Sequence, residues 1–396
     1  MRVVIIGQGY VGLTIGISAA RAGHHATGFD INSDLVTQIN SGSSHIEGIS
    51  DAELKELVSQ GAYRASGDRS VLNSCDVVVI AVPTPLTASR NPDLSYVHAA
   101  VELIQNNVKN PSLIINESTS YPGTLRKEIA GRITGLNHLY ASSPERVDPG
   151  NTVWGTKNTP RLVGGLSPEA VSKAKEFYSS FCDTVIEVSS PEVAEAAKIF
   201  ENTFRQVNIA LVNEFAQIAD ALGISGREVL DAAATKPYGF MEFNPGPGVG
   251  GHCIPVDPTY LAYVANEVGV PATFIKRANE VNLAMPAYVV KRVIAGAGGS
   301  VTGKSVVVIG VSYKANVADV RETPAASIID LLREAGAAVS WHDPLVGRWR
   351  GEESADLGVF DVAVVVTKHD VLRVEDIQKS AYIFDCTASI VGADGI

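Results

Sequence analysis

A glycine-rich turn near the start of the chain separates a strand-like run from a helix-like segment. The letters are RVVIIGQGYVG, and apolar residues continue at helical spacing after the last glycine. In such a turn Gly7 permits the tight bend, Gly9 lets the backbone approach a pyrophosphate, and Gly12 lets helix pack on strand. The N–H groups of Tyr10 and Val11 open the helix, where amides face phosphates. The pattern therefore predicts a cradle for a dinucleotide.

An acidic residue, Asp30, ends the next strand-like segment, HATGFD. A glycine-rich turn alone is often only a turn, but a carboxylate at this place can bind a ribose 2′-hydroxyl. Together the two features predict dinucleotide binding. Asp30 would repel a 2′-phosphate, and no arginine adjoins it. We therefore expect NAD rather than NADP as the cofactor.

Strand-like and helix-like segments alternate over much of the chain, which predicts an α/β fold with parallel sheets. We expect two Rossmann-like, doubly wound domains joined by a helical central region. The expected boundaries are 1–188 for the NAD-binding domain, 189–299 for the helical region with a cysteine loop, and 300–396 for the second Rossmann-like domain. Long helices are expected from about 191 to 222, capped by Ser190, and from about 273 to 297.

The composition narrows the class of protein. Of 396 residues, 45% are hydrophobic and 19% are charged, which is typical of a well-cored globular chain. The formal net charge of -11 argues against a sequence-independent grip on nucleic acid or on an acidic membrane. The four cysteines show no disulfide or zinc spacing, and no apolar run reaches membrane-spanning length. We therefore expect a cytoplasmic protein with no metal site and no nucleic-acid or membrane partner.

A second glycine- and proline-rich stretch, PGPGVGGHCIPVDPTYL, carries Cys253 in what must be a loop. Most unpaired intracellular cysteines are small buried hydrophobic residues, and that is one interpretation of Cys253. The glycines instead favour close approach of a ligand to the backbone. Beside a nicotinamide cofactor, a thiolate can add to an aldehyde and then lose a hydride to give a thioester.

Three polar residues elsewhere are further candidates for the same chemistry. Lys198 and Asn202 are four apart in AAKIFENTF and share one face of the long predicted helix. A solvated surface pair is the ordinary interpretation of such residues, but their neighbours are apolar. Glu145, in SSPERVDPG, ends a predicted strand, where open α/β sheets bind ligands. Alone, it would more often be a surface carboxylate.

With these residues together, the chain resembles the UDP-glucose/GDP-mannose dehydrogenase family, which makes uronic acids from nucleotide sugars. The resemblance covers almost the whole length and rests on GQGYVG, AVPTPL, ESTSYPGT, SPERVDPG, AAKIFENTFR, GVGGHCIPVDP and GVSYKANVADVRETPA. Four segments are most similar to bacterial UDP-N-acetylhexosamine 6-dehydrogenases, above all those acting on UDP-N-acetylglucosamine. They are PTPLTASRNPDLSYV, ESTSYPGT, SPERVDPGN and PGPGVGGHCIPVDP. The resemblance implies an NAD-dependent four-electron oxidation of carbon 6. UDP-N-acetylmannosamine and UDP-glucose are the alternative substrates.

The resemblance also implies roles for individual residues. For catalysis these are Cys253 as the nucleophile of the second oxidation, Lys198 and Asn202 as stabilisers of the oxyanion, Asp257 in the same cluster, Glu145 in proton transfer or thioester hydrolysis, and Thr119 near the reacting centre. Around NAD they are Pro83, Thr84 and Ser118, with Arg321 reaching the cofactor from the C-terminal domain. Around the UDP-sugar they are Gly250, Tyr313 and Lys314, with Glu145, Lys198 and Asn202. The resemblance further suggests a homodimer built on the central helices.

The chain departs from the family pattern at two places near its C-terminus. The last strand of the family usually ends in Asp-Thr-Arg-Asn, whose arginine contacts the nucleotide sugar, but FDCTASI places Thr387 there. TKH, from Thr367 to His369, replaces the more usual Thr-Asp-His. The missing arginine prompts an alternative from another class, a non-catalytic protein that binds NAD and a nucleotide sugar. The intact set of candidate catalytic residues argues against it.

Overall fold

The computed structural model describes the chain except for Glu47, Pro149, Gly150, Thr152 and His252. Pro149 and Gly150 of the SPERVDPG motif and His252 of the cysteine loop therefore lie outside the described residues. The chain forms two compact units. The first unit comprises Met1–Glu201 and Thr259–Val270, and the second comprises Asn202–Pro258 and Pro271–Ile396. Among the described helices, none combines the length and the apolar character that a membrane crossing needs.

The first unit is built on one eight-stranded sheet. Its strands are β1 (Arg2–Ile6), β2 (His25–Phe29), β3 (Tyr63–Ser66), β4 (Val77–Ile80), β5 (Leu113–Asn116), β6 (Leu139–Ser142), β7 (Arg161–Gly165) and β8 (Val185–Glu187). They lie in the order β3-β2-β1-β4-β5-β6-β7-β8. The strands from β1 to β6 are parallel, as predicted, but β7 runs antiparallel to β6 and pairs Gly165 with Ala141. A short apolar run carries no mark of its direction, so the sequence did not show this reversal.

Helices of the first unit pack on this sheet. They are α1 (Tyr10–Arg21), α2 (Ser33–Asn40), α3 (Asp51–Ser59), α4 (Ser95–Asn107) and α5 (Pro168–Ser179), with 3₁₀ segments at Arg69–Ser74 and Ala130–Arg132 and a π-helical turn at Leu125–Ile129. All four residues of β4 are buried, as expected for a parallel strand covered on both faces. The core includes Ile5 of β1, Ile15 of α1 and Phe177 of α5.

Helix α6 (Pro191–Leu222) has the bounds that the sequence predicted, and it begins in the first unit and ends in the second. The backbone N–H of Val193 bonds to the carbonyl oxygen of Ser190, the predicted cap. Three further helices follow, α7 (Gly226–Ala234), α8 (Asp257–Glu267) and α9 (Thr273–Gly296). Within the second unit, Ala210 of α6 packs against Ala278 and Val281 of α9.

The second unit contains a five-stranded parallel sheet. Its strands and neighbouring elements are β9 (Ser305–Ile309), α10 (Pro324–Glu334), β10 (Ala338–His342), the hairpin β11 (Arg348–Trp349) and β12 (Glu352–Glu353), β13 (Val362–Val365), α11 (Val374–Ile377), β14 (Tyr382–Asp385) and β15 (Asp394–Gly395). The sheet order is β10-β9-β13-β14-β15. Parallel sheets near both ends of the chain and a helical central region confirm the predicted fold class.

Each sheet winds outward in two directions from a central pair of strands. The pair is β1 and β4 in the first unit and β9 and β13 in the second. At such a pair the loops at the carboxyl ends of the strands diverge and leave a crevice, where open α/β sheets bind ligands. The fold therefore offers one ligand position in each unit.

Candidate active site

The carboxyl end of β1 forms a backbone-lined cradle. Gly7 has a φ of 92°, and a Cβ there would lie 2.5 Å from the carbonyl oxygen of Ala81. A Cβ on Gly12 would lie 1.8 Å from the carbonyl oxygen of Gly7, whereas a Cβ on Gly9 would meet open space. Side chains are therefore excluded where the chain turns and packs, and the start of α1 is open. The arrangement fits a pyrophosphate bound by the first amides of α1, including that of Tyr10.

The carboxylate of Asp30 lies beside this turn, at the end of β2. Its Oδ2 accepts a hydrogen bond from the N–H of Gln8 at 2.8 Å, and its Oδ1 accepts one from the N–H of Asn32 at 2.9 Å. Asp30 is partly exposed, and an ionised carboxylate can accept more than two hydrogen bonds. A ribose hydroxyl can therefore bind to it without displacing either amide.

The ends of β4 and β5 meet on the other side of the crevice. The Ser118 hydroxyl accepts the N–H of Val82 and donates to the Val82 carbonyl, both at 2.9 Å. Ser118 therefore fixes the backbone that leads into Pro83 and Thr84. Pro83 is exposed, Thr84 is buried and Thr119 is half-buried. All four predicted residues thus follow the two strands at the carboxyl edge of the sheet.

Glu145 follows β6, and both oxygens of its carboxylate accept hydrogen bonds. Its Oε2 accepts from Arg161 at 2.6 Å, and its Oε1 accepts the N–H groups of Arg146 and Val147 at 2.7 and 2.9 Å. Burial opposes ionisation, but Arg161 and the two amides outweigh it and lower the pKa of Glu145. Glu145 is therefore an ionised acceptor of fixed orientation rather than the surface carboxylate that its sequence context alone would favour.

The same arginine binds a second carboxylate that the sequence reasoning missed. Arg161 contacts Glu117 at 2.8 Å, and the Tyr178 hydroxyl donates to the same Glu117 oxygen at 2.5 Å. The Arg161 guanidinium also lies 4.5 Å from the centre of the Tyr178 ring. Burial raises the pKa of Glu117 to about 7 against the opposing charge of Arg161. Glu117 directly precedes Ser118, so this buried cluster reaches the cofactor edge of the sheet.

Lys198 and Asn202 on α6 are only 8% and 9% exposed. The interpretation of a solvated surface pair is therefore wrong. One turn before Lys198, the Glu195 carboxylate accepts the N–H groups of Gly123 and Leu125 at 2.7 and 2.9 Å. These two hydrogen bonds attach α6 to the end of ESTSYPGT and to the residue that follows it, within the first unit.

The cysteine loop places three candidate residues of the second unit in one cluster. Cys253 is exposed, so the buried-hydrophobe interpretation is wrong for it. Its carbonyl accepts the N–H groups of Val256 and Asp257, which puts Cys253 one turn before α8. The Asp257 carboxylate, only 1% exposed, accepts a hydrogen bond from the Asn202 side-chain amide at 2.5 Å. The loop thus carries an exposed cysteine four residues before the carboxylate that orients the Asn202 amide.

The glycines before Cys253 allow another segment of the chain to pack closely against the cysteine loop. A Cβ on Gly250 would lie 2.6 Å from the Cβ of Tyr313 and 3.0 Å from the Glu322 carbonyl oxygen. Gly251 has a φ of 82°, and a Cβ there would meet the Tyr313 ring at 2.8 Å. The N–H of Gly251 also donates to the Arg321 carbonyl at 3.0 Å. The cysteine loop is therefore seated on the loop that carries the predicted sugar-binding residues Tyr313 and Lys314.

Arg321 forms its own ion pair. Its Nε donates to Asp319 Oδ1 at 2.9 Å and its NH2 group donates to Asp319 Oδ2 at 2.5 Å. The side chain is 62% exposed. A bidentate pair fixes the plane of the guanidinium and leaves the remaining N–H groups for a phosphate or carboxylate.

Asp343 directly follows β10, which lies next to β9 in the second sheet. Asp30 likewise follows β2, which lies next to β1 in the first sheet. Asp343 Oδ2 accepts the N–H groups of Val311 and Ser312 and the Nε2–H of His369, and Oδ1 accepts the N–H of Leu345. Burial opposes ionisation, but these donors lower the pKa of Asp343 to about 2. With 2% of its surface exposed, the Asp343 carboxylate is not accessible to a ribose hydroxyl.

Thr387, which stands where the family has arginine, is folded back on its own strand. Its hydroxyl and its N–H both donate to Asp385 Oδ1, at 2.6 and 2.8 Å. The other oxygen of Asp385 accepts the N–H groups of Ser389 and Ile390. The turn after β14 is thus closed by local hydrogen bonds, and Thr387 supplies no cation. Over the described residues, no group of three or more His, Cys, Asp and Glu side chains could hold a metal ion.

Three family models match the chain in sequence order. All three describe the UDP-glucose/GDP-mannose dehydrogenase family: the NAD binding domain over residues 1–182, the central domain over 192–284 and the UDP binding domain over 307–391.

Relatives and solved structures agree with these matches. The chain is 37% identical to a UDP-N-acetyl-D-mannosamine dehydrogenase of Methanococcus maripaludis, over 94% of this chain and 87% of that protein. It is 34% identical to a UDP-N-acetyl-D-glucosamine 6-dehydrogenase of Pseudomonas aeruginosa, over 87% and 83%. The structure of a UDP-D-ManNAc dehydrogenase of Pyrococcus horikoshii superposes with a TM-score of 0.90 at 32% identity, covering 100% of this chain and 99% of that one.

Proposed function

Because the chain belongs to the UDP-glucose/GDP-mannose dehydrogenase family and is an NAD-dependent nucleotide-sugar dehydrogenase, we propose that it oxidises carbon 6 of a UDP-N-acetylhexosamine to the uronic acid. The observation that carries the proposal is the cluster of the second unit, where an exposed Cys253 precedes Asp257 and Asp257 orients the amide of Asn202. A binding protein without catalysis needs no exposed cysteine in the loop that leads to such a pair.

In the first oxidation, carbon 6 changes from an alcohol to an aldehyde. Bound NAD accepts the hydride in each of the two oxidations. The hydroxyl proton must leave as negative charge develops on oxygen, and donors placed there stabilise that charge. We assign this stabilisation to the Asn202 amide and the Lys198 ammonium. Asp257 fixes the direction in which the Asn202 amide points.

The second oxidation proceeds on Cys253. Its thiolate adds to the aldehyde carbon, and the oxygen takes up a proton to give a thiohemiacetal. Loss of a hydride and of that proton leaves a thioester. Water then attacks the thioester carbon, the carbon–sulfur bond breaks, and the carboxylate is released with the thiolate restored. We assign to Glu145 the orientation of this water, because its carboxylate is ionised and fixed by Arg161.

The two leading substrates differ only in configuration at carbon 2 of the sugar. The sequences of the motifs favour UDP-N-acetylglucosamine, whereas the relative at 37% identity is named a UDP-N-acetyl-D-mannosamine dehydrogenase. We place UDP-N-acetylmannosamine first on that higher identity. An acetamido group needs hydrogen-bond partners, and UDP-glucose would leave those partners unpaired at a cost of about 1–3 kcal/mol per group. We therefore expect the acetamido sugar that the enzyme prefers to exceed UDP-glucose at least about tenfold in kcat/KM.

We also propose a homodimer formed along α6. Four apolar side chains of α6 in the second unit are exposed although they share one helical face. They are Phe204, Leu211, Ile218 and Leu222, exposed by 43%, 63%, 49% and 66%. Their spacing of seven, seven and four residues forms a stripe that suits a second copy of the same helix.

The decisive experiment measures NADH release with UDP-N-acetylmannosamine, UDP-N-acetylglucosamine and UDP-glucose, together with the mass of each product. We expect two NADH per sugar and a uronic acid from one acetamido sugar. A variant with Cys253→Ala should yield no uronic acid. Preference for UDP-glucose, or one NADH per sugar with an aldehyde product, would overturn the proposed reaction.

A further inference from the structure

The loops after β9 and β13 touch at the point where the second sheet divides. Gly310 has a φ of 80°, and a Cβ there would lie 1.9 Å from the Thr367 carbonyl oxygen. The Thr367 hydroxyl donates to the Ser312 carbonyl at 2.7 Å. The loop after β13 is therefore attached to the loop after β9 where a ligand crevice is expected.

A second set of contacts fixes the same two loops two residues further on. His369 is fully buried, and its Nδ1 accepts the N–H of Asn316 at 2.9 Å. Asn316 and Asp370 exchange two hydrogen bonds, at 2.8 and 2.9 Å. Lys368 therefore lies between two anchored residues, alongside the stretch that holds Tyr313 and Lys314.

The residue between these anchors is a cation. Thr367 and His369 are buried, but Lys368 is partly exposed, and no ion pair joins it to any described residue. The register pairs Val365 of β13 with Asp385 of β14, so Lys368 follows β13 beside the turn that contains Thr387. The positive charge of Lys368 thus lies one strand away from Thr387, which has no charge at the position where the family has arginine.

We propose that Lys368 binds the diphosphate of the nucleotide sugar and supplies the positive charge that Thr387 does not. The inference rests on the proposed function. A lysine ammonium is a compact point charge that binds phosphate oxygens without a fixed plane, so it can act from a neighbouring strand. Its loop is held against the loop of Tyr313 and Lys314, so the ammonium is presented to the same ligand.

The test is the affinity for UDP, measured by calorimetry on the purified full-length protein. We expect Lys368→Gln to weaken UDP binding about tenfold or more and to raise KM for the UDP-sugar by a similar factor. Lys368→Arg should retain most of the affinity. Placing the family arginine in the same protein, as Lys368→Gln with Thr387→Arg, should restore binding at least in part.

Three controls separate a binding role from a structural one. The affinity for NAD and the melting temperature should stay at wild-type values in Lys368→Gln. Lys379→Gln, which changes another exposed lysine of the second unit, should leave UDP binding unchanged. If Lys368→Gln binds UDP as tightly as the wild-type protein does, the inference about Lys368 is overturned and the proposed function is not. Wild-type protein that neither binds UDP nor oxidises a UDP-sugar overturns the proposed function with it.

Discussion

The side-chain amide of Asn202 donates a hydrogen bond of 2.5 Å to the carboxylate of Asp257, and both groups are buried. The two residues are 55 positions apart in sequence. An amide has one oxygen and one NH₂ group, so an acceptor on the NH₂ side fixes which way the amide faces. Asp257 therefore positions Asn202, and that relation can be tested separately from the oxyanion role proposed for Asn202.

Exchanging the two residues separates orientation from catalysis. Asp257→Asn should lower stability by about 1.5–3 kcal/mol, because a hydrogen bond to a charged group is lost. The double variant Asn202→Asp with Asp257→Asn restores an amide–carboxylate pair and should regain much of that stability. It should still have kcat reduced about 100-fold or more, because a carboxylate replaces the oxyanion donor. Urea unfolding and steady-state kinetics provide the two measurements, and recovery of kcat in the double variant would contradict the role given to Asn202.

Selective alkylation should identify Cys253. It is exposed, whereas Cys75, Cys182 and Cys386 are buried, and burial raises the pKa of the Cys182 thiol to about 11. We expect iodoacetamide at neutral pH to modify one thiol of the native protein quickly, with activity lost in parallel. Cys253→Ser should show no fast modification by mass spectrometry. Fast labelling of Cys253→Ser would mean that another thiol is accessible.

Cofactor choice should depend on Asp30. Replacement by serine removes the ionised acceptor of the ribose hydroxyl and should lower kcat/KM for NAD roughly ten- to a hundredfold, since a charged hydrogen bond contributes about 1.5–3 kcal/mol. The same change removes repulsion of a 2′-phosphate, so the ratio of NADP to NAD activity should rise. Asp34→Ser, on the exposed start of α2, is the matched control. An unchanged cofactor ratio in Asp30→Ser would show that Asp30 does not read the ribose.

Glu117 should make stability depend on pH near neutrality. Burial raises its pKa to about 7 in the folded chain, against about 4.3 for an ordinary glutamate, so the folded state holds its proton over a window where the unfolded state releases it. The stabilising contribution is present below about pH 4 and is lost as the pH rises through 7. Glu117→Gln cannot lose a proton. The urea midpoint of Glu117→Gln minus that of the wild type should therefore rise between pH 5 and about 8. A difference that stays constant with pH would refute the raised pKa of Glu117.

Light scattering should test the stripe along α6. We expect wild-type protein to have twice the mass of one chain. Leu211→Glu combined with Ile218→Glu places two charges in the apolar stripe and should reduce the mass to that of one chain. Val391→Glu, at a position 96% exposed near the C-terminus, should leave the mass unchanged. A wild-type mass of one chain would rule out the homodimer.

Features that depend on local pattern were predictable from the sequence. The cradle at Gly7, the end of β2 at Asp30 and the bounds of α6 all follow from turn chemistry, helical spacing and caps within a few residues. The same reasoning identified Cys253 and Glu145 as candidates, because each interrupts or ends a recognisable segment. These features need no knowledge of which distant segments meet.

Partners that come from distant segments were not predictable. Arg161 opens β7, and nothing in RLVGG shows that its guanidinium lies between Glu117 and Glu145. The glycines before Cys253 signalled a close approach, and the sequence suggested a ligand, but the structure places Tyr313 there. Residue spacing shows which side chains share one face of a helix or strand, whereas the identity of a contact depends on how distant segments are ordered in the fold.

The burial of the Asp343 carboxylate bears on how the enzyme works in a cell where NAD is abundant. Both sheets divide at a central pair of strands, and a protein that bound NAD at both crevices would be inhibited by its own cofactor. Because Asp343 is buried and already accepts hydrogen bonds from His369 and backbone amides, the second crevice has no exposed carboxylate for a ribose hydroxyl at the place where the first crevice has Asp30. We expect high NAD concentrations to leave the nucleotide-sugar position vacant for its own ligand.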